Sequence, residues 1–222
     1  LDFATVMRSF LRADPDVIMV GEMRDKETVS IGIEASLTGH LVFATLHTNS
    51  APESINRLLD MGMDPFNFAD ALLGILAQRL AKRLCKSCKE AYQPSADELK
   101  HMLFEYCEDL NNTDRWKKDP KLASEAIYQE WLRDFAKDGK FTLYRAKGCD
   151  ACAGSGYKGR VGLHELLVGT DALKKQIQEH ARVAELFATA INEGMRTLRM
   201  DGIEKVMSGI TDIKQVRSVC IK

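Results

Sequence analysis

Three features of this sequence have residue types and spacing suited to chemistry. They are an acid after one apolar run, a His-Thr-Asn cluster after a second, and two C-x2-C pairs. Glu22 follows Val17-Ile18-Met19-Val20 and the turn residue Gly21. Four unbroken apolar residues suit a strand buried on both faces of a parallel sheet, although periodicity alone does not separate this from a buried helix segment. An acid at the carboxyl end of such a strand lies in the crevice where open α/β sheets bind ligands. In phosphoryl transfer an acid so placed works on a magnesium ion or on the attacking water. The same residue would also serve as a helix N-cap or an ordinary turn acid. His47-Thr48-Asn49 closes the run His40 to Leu46. An imidazole, a hydroxyl and an amide there suit contact with a terminal phosphate, or a turn whose Thr and Asn bond their own backbone.

Cys85-x2-Cys88 and Cys149-x2-Cys152 each present two thiols. Two such knuckles close a tetrahedral zinc shell. The alternative is a pair of small-residue turns with inert buried thiols. The pairs are separated by 60 residues, where about 15–20 is usual, so about 93–142 reads as an inserted piece. Cys107 falls on an apolar helical stripe and reads as core, and the lone Cys220 has no assigned role. His164 is a weaker ligand candidate because four Cys already saturate zinc, and His101 reads as surface. Arg8 and Arg12 are four apart and share a helix face, which on its own is a solvated basic edge.

The elements that must position these groups follow from periodicity and punctuation. Apolar spacing predicts a helix over 1–11, then the strand 17–20. A helix over 26–37 follows, with Asp25 as N-cap and Gly39 past its end. A second buried strand covers 40–46. Helices are predicted over 54–61, with Pro52 near the first turn and Gly62 after the end, and over 66–84 behind Asp64-Pro65. Residues 1–84 thus read as strand–helix–strand–helix–helix, half of an α/β domain with a parallel sheet. Helices over 98–110 and 122–136 form a hairpin packed on itself or on a neighbour, joined by a turn at 111–114. Val161 to Leu167 has strand character. Short helices over 171–180, 183–193, 198–208 and 212–219, the last opened by Thr211, complete the chain.

Composition bounds the partners. The 222 residues are 45% apolar and 28% charged, with net charge −1. That removes a whole-chain electrostatic case for nucleic acid or a membrane surface. No apolar run approaches the ~18–20 residues that span a bilayer, and the first residues lack a signal peptide's basic and apolar regions. The sequence begins with Leu, so it is expected to start inside a longer protein. Six Cys without a secretion signal favour metal ligation over disulfides and a reducing, cytoplasmic setting.

These residues together resemble the secretion ATPases that drive type II secretion and type IV pilus assembly. LRADPDVIMVGEMRD (11–25) is similar to their Walker B segment, and GHLVFATLHTN (39–49) to their histidine box. AQRLAKRLCKSC (77–88), CDAC (149–152) and YKGRVGLHELL (157–167) are similar to the tetracysteine region of the assembly and export branch. The likeness covers nearly all of the chain outside the insert. It implies a partial RecA-like P-loop NTPase domain over 1–84 and a tetracysteine zinc module over 85–165. A C-terminal helical subdomain over 166–222 completes the implied α/β fold. It further implies a cytoplasmic homo-hexamer that hydrolyses ATP with Mg2+, carries structural Zn2+, and is peripheral at the inner membrane through a platform protein. Position by position, Glu22 resembles the Walker B acid and His47 the histidine that approaches the γ-phosphate. Arg8, Arg12, Arg24 and Arg160 resemble arginines at phosphate or subunit contacts, and Cys85, Cys88, Cys149 and Cys152 the zinc ligands.

This sequence also departs from the pattern. No G-x-x-x-x-G-K-[ST] occurs in it, nor the family's acidic box, nor its N-terminal domains. The phosphate-cradling amides and Lys are therefore lacking, and this chain alone is expected not to turn over ATP. The competing reading is a zinc-stabilised docking or regulatory module without catalysis. A zinc-ribbon nucleic-acid motor fits less well, because no basic stripe with interleaved aromatics is present.

Overall fold

The computed structural model describes residues 3–220. Two compact units emerge. One holds the residues up to Leu76 together with Leu167–Ala190, and the other holds Ala77–Leu166 together with the residues from Ile191 on. This partition differs from cuts at 84/85 and 165/166. The chain passes between units within two paired strands, and the C-terminal helices are shared out rather than forming a region of their own.

The first unit opens with helix α1 (Phe3–Leu11), strand β1 (Val17–Val20), helix α2 (Lys26–Leu37) and strand β2 (Leu41–Ala44). β1 and β2 pair in parallel, Val17 opposite Leu41 and Val20 opposite Ala44. Asp25 starts α2 by accepting the Thr28 N–H at 2.8 Å and the Thr28 hydroxyl at 2.9 Å, which satisfies orphan groups of the first turn. Gly39, at φ +103°, takes the left-handed turn that leaves α2. Ile18 and Val20 pack with Met7 of α1 and with Ile31 and Ala35 of α2. Among the described residues the opposite face is exposed. Val17, Met19, Leu41 and Phe43 are exposed, Met19 by 75%. The expectation of strands buried on both faces is thus corrected: with two strands, the sheet has helices on one side only.

Helix α3 (Ala51–Asp60), capped by Ser50, and helix α4 (Pro65–Ala71), capped by Asp64, follow. The helix expected over 66–84 is a second correction. Leu72 is extended, and strand β3 runs over Gly74–Leu84. Leu, Ala, Gln, Lys and Arg are helix formers, so local preference points the wrong way. Long-range bonds override it. β3 pairs with a later strand, Leu84 N–H donates to Ile210 C=O at 2.9 Å, and the Thr211 hydroxyl donates to Lys82 C=O at 2.8 Å.

In the second unit, strand β4 (Glu90–Tyr92) pairs antiparallel with strand β5 (Leu143–Arg145), Tyr92 opposite Leu143. Between them lie helices α5 (Ala96–Cys107), α6 (Asp114–Lys118) and α7 (Pro120–Phe135). α6 follows the turn expected at 111–114, where no helix was expected. Strand β6 (Tyr157–Val168) partners β3. Helices α8 (Asp171–Gln178) and α9 (Val183–Asn192) come next, then α10 (Leu198–Met207) and α11 (Ile213–Val219). α11 is capped by Asp212 rather than Thr211.

The inserted helices pack on each other and on α10. Tyr106 meets Trp131 edge to face at 5.3 Å, and its hydroxyl donates to Glu204 at 2.7 Å. Arg199 pairs with Glu108, and Arg217 holds Glu105 with two nitrogens. Cys107 is buried on this stripe, and burial pushes its thiol pKa up. Among the described residues no helix is long and apolar enough to cross a membrane.

Candidate functional site

Parallel pairing fixes where the first group of polar residues meets. β1 and β2 end side by side, so Glu22 and His47 leave the sheet at the same end. The pairing continues past the strands, with Met23 N–H donating to Thr45 C=O at 3.0 Å and the Thr45 hydroxyl to Gly21 C=O. The result brings His47 Nε2 to 3.2 Å from Glu22 Oε1, while Arg24 pairs with the other carboxylate oxygen. Glu22 caps no helix, because Asp25 performs that task. The loop after His47 is tied to α3: the Thr48 and Ser54 hydroxyls lie 2.6 Å apart, and Asn49 N–H donates to Glu53 at 3.1 Å.

The Arg24 hydrogen bond, aided by the charges of Arg24, His47 and Arg57, holds the Glu22 carboxyl below the ordinary glutamate range. Arg24 is raised in turn by the same contact. The Glu22 side chain is 22% exposed and that of His47 80%. The pair is therefore an ionised carboxylate on an open ledge, accessible to a cation or a polar ligand.

Of the four arginines that resemble phosphate or subunit contacts, Arg24 meets Glu22. Arg8 pairs with Glu27 at 2.7 Å and links α1 to α2. Arg12 is exposed just past the end of α1, and Arg160 is exposed on β6, in the other unit. Arg57, which the sequence reading passed over, lies near the end of α3 and adds to the positive field on Glu22. Its only sequence signal is indirect: a helix that starts four residues after His47 stays near the strand ends.

The second group is the cysteine cluster. All four sulfurs lie within 4.8 Å of one another. Sγ of Cys85 is 3.9 Å from that of Cys149, and Sγ of Cys152 is 3.8 Å from those of Cys88 and Cys149. A tetrahedron with Zn–S bonds of 2.3 Å has edges of about 3.8 Å. The spacing therefore fits one tetrathiolate ion and is far too long for disulfide bonds.

Backbone geometry builds the shell. Cys152 Sγ accepts N–H groups from Cys149 and Gly156, each at 3.2 Å. Gly148 sits at φ +104°, and a Cβ there would meet the Gly154 carbonyl oxygen at 2.4 Å. Burial pushes the Cys88 thiol up to about 12. Burial also works against the Cys152 thiolate, but the Cys149 and Gly156 N–H groups outweigh it, and that thiol falls to about 6. The Ser87 N–H lowers Cys85. His164 is exposed and lies outside the cluster, as does His101. Burial raises the Cys220 thiol to about 11, and Cys220 also stands apart.

Comparison with known proteins places these sites in context. A family described as "Type II/IV secretion system protein" matches residues 1–218. The chain is 43% identical over 216 residues to "Type IV pilus assembly ATPase PilB" of Thermus thermophilus, covering 97% of this chain and 21% of that protein. It is 42% identical over 219 residues to "Type II secretion system ATPase E" of Vibrio cholerae, covering 99% and 37%. It therefore spans well under half the length of these curated relatives. Among solved structures, the pilus retraction motor PilT with bound ADP matches at TM-score 0.58 and 24% identity, over 98% of this chain and 43% of that one. The ATPase DotB of Legionella pneumophila matches at TM-score 0.56 and 21% identity, over 98% and 42%. At those identities the two structures speak for the fold.

Proposed function

The chain belongs to the type II/IV secretion system protein family, and on that premise we propose that it is the C-terminal portion of a hexameric ATPase powering type II secretion or type IV pilus assembly. The observation that carries this reading is the Glu22–His47 pair at adjacent parallel strand ends, with Arg24 on the carboxylate. In this reading Glu22, kept ionised by Arg24, faces the magnesium ion or the attacking water. His47 reaches toward the γ-phosphate. Arg8, Arg12 and Arg160 serve at phosphate or subunit contacts. Bound Mg2+–ATP would supply the reactive phosphoryl group and a cation to spread its charge.

The bare outer face of β1 and β2 supports the partial-core reading. Parallel sheets are ordinarily covered on both sides, and four large apolar side chains here are exposed among the described residues. Chain upstream of residue 1 would supply that cover and the phosphate loop. Cys85, Cys88, Cys149 and Cys152 would hold a structural Zn2+. The whole protein would work in the cytoplasm, peripheral to the inner membrane through a platform protein, with nucleic acid no part of its task.

One observation favours a second reading, in which this stretch is a zinc-stabilised docking module: its cysteine shell is complete while its phosphate loop is absent. Steady-state ATP hydrolysis by the full-length protein decides between them. Glu22→Gln and His47→Ala are each expected to lower kcat by about a hundredfold or more. Unchanged turnover in both would favour the docking module.

A further inference from the structure

Unit two contains two kinds of cation. Around its helices several are paired, as Arg196 with Glu204, Arg199 with Glu108 and Arg217 with Glu105. Around the cysteines they are mostly not. Segments 82–90 and 145–160 carry eight Lys or Arg against two acids, Glu90 and Asp150. Glu90 is already shared by Arg145 at 3.3 Å and Lys147 at 2.8 Å. Lys82, Lys86 and Lys158 are exposed, and among the described residues none forms an ion pair. Lys82 stands 5.8 Å over the Tyr157 ring. In a chain of net charge −1 this is a concentrated positive surface.

The two strands next to the cysteines also carry exposed apolar side chains. Ala81 and Leu163 turn inward to the core, so their strand neighbours point out. Leu80 is 51% exposed and Leu166 52%. Both strand edges near the patch are engaged: His164 N–H donates to Asp201 at 2.7 Å, and Lys82 N–H to Gln215 at 3.4 Å. A partner would therefore meet the face through side chains rather than add a strand to an edge.

We propose that this face docks an acidic polypeptide segment of a partner protein, its carboxylates on Lys82, Lys86 and Lys158 and its apolar side chains over Leu80 and Leu166. A lipid headgroup layer would match the charge, but binding to it scales with inserted apolar area, and two leucines on strands offer far less than an amphipathic helix. Nucleic acid would need stacking rings, but Tyr157 is engaged by Lys82 and by Asp212, at 2.5 Å from its hydroxyl. The proposal does not depend on the nucleotide reading.

The test is fluorescence anisotropy of the purified chain with a labelled peptide of alternating Glu and Leu. Phosphatidylglycerol vesicles and an oligo-dT strand serve as parallel probes, and zinc content is measured on every sample. The triple variant K82E/K86E/K158E is expected to bind the peptide about tenfold more weakly with full zinc content. The control Lys118→Glu, exposed on α6, is expected to bind as the parent does. Equal binding by the triple variant overturns the proposal. Loss of zinc in step with loss of binding also overturns it, since the lysines would then only balance the charge of the thiolates. So does vesicle or DNA binding as tight as that of the peptide.

Discussion

The Glu22 ledge and the cysteine cluster solve opposite problems. The cluster is closed: four sulfurs from two short knuckles face one another, and backbone N–H groups back them. All four candidate ligands lie within this chain. The ledge is open: a carboxylate, an imidazole and a guanidinium meet at the end of a sheet whose outer face is bare. A closed shell gains its stability locally. On the proposed reading, an open ledge would do its chemistry only when other groups complete it. On the proposed reading, the same chain holds one finished site and one shared site.

The largest effect should come from breaking the closed site. Cys85→Ser would remove one of the four proposed zinc ligands, and the free energy of zinc binding would be folding free energy. Metal loss by elemental analysis is expected, with new protease cleavage between 85 and 165 and little change in the β1–β2 unit. Unchanged metal content would remove the closed shell from the comparison. A smaller effect is expected from Asp25→Ala under the open site. The cap bonds to Thr28 are lost, which costs about 1 kcal/mol in denaturant unfolding. No change would mean that the start of α2 is not held as described.

The smallest effect is electrostatic. Arg24 holds Glu22 below its ordinary pKa. A depressed carboxylate contributes stability that is present above the unfolded value, about 4.3, and lost as pH falls through the folded one. Arg24→Ala is expected to move the Glu22 titration, followed by carboxyl NMR, up toward the ordinary range. An unmoved midpoint would show that Arg24 does not engage it.

The parts of this contrast differed in how far they could be read from sequence. The knuckles and the Asp25 cap are local patterns, and short-range bonds realise them as spaced. The meeting of Glu22 and His47 followed from two apolar runs taken as neighbouring parallel strands. β3 was misread because Leu76, Ala77, Gln78 and Lys82 favour helix, and the bonds that hold it extended come from residues more than 70 positions away. Arg57 escaped notice because its effect on Glu22 depends on where α3 returns. The exposure of Met19 and Phe43 was illegible for another reason: an apolar run states what a strand would bury, not whether the cover is present.

The most direct measurement is steady-state ATP hydrolysis by the purified 222-residue chain alone. With an open, unfinished ledge, no turnover above the blank is expected. A clear rate that disappears with Glu22→Gln would show that the ledge is complete by itself and would contradict the division into one finished and one shared site.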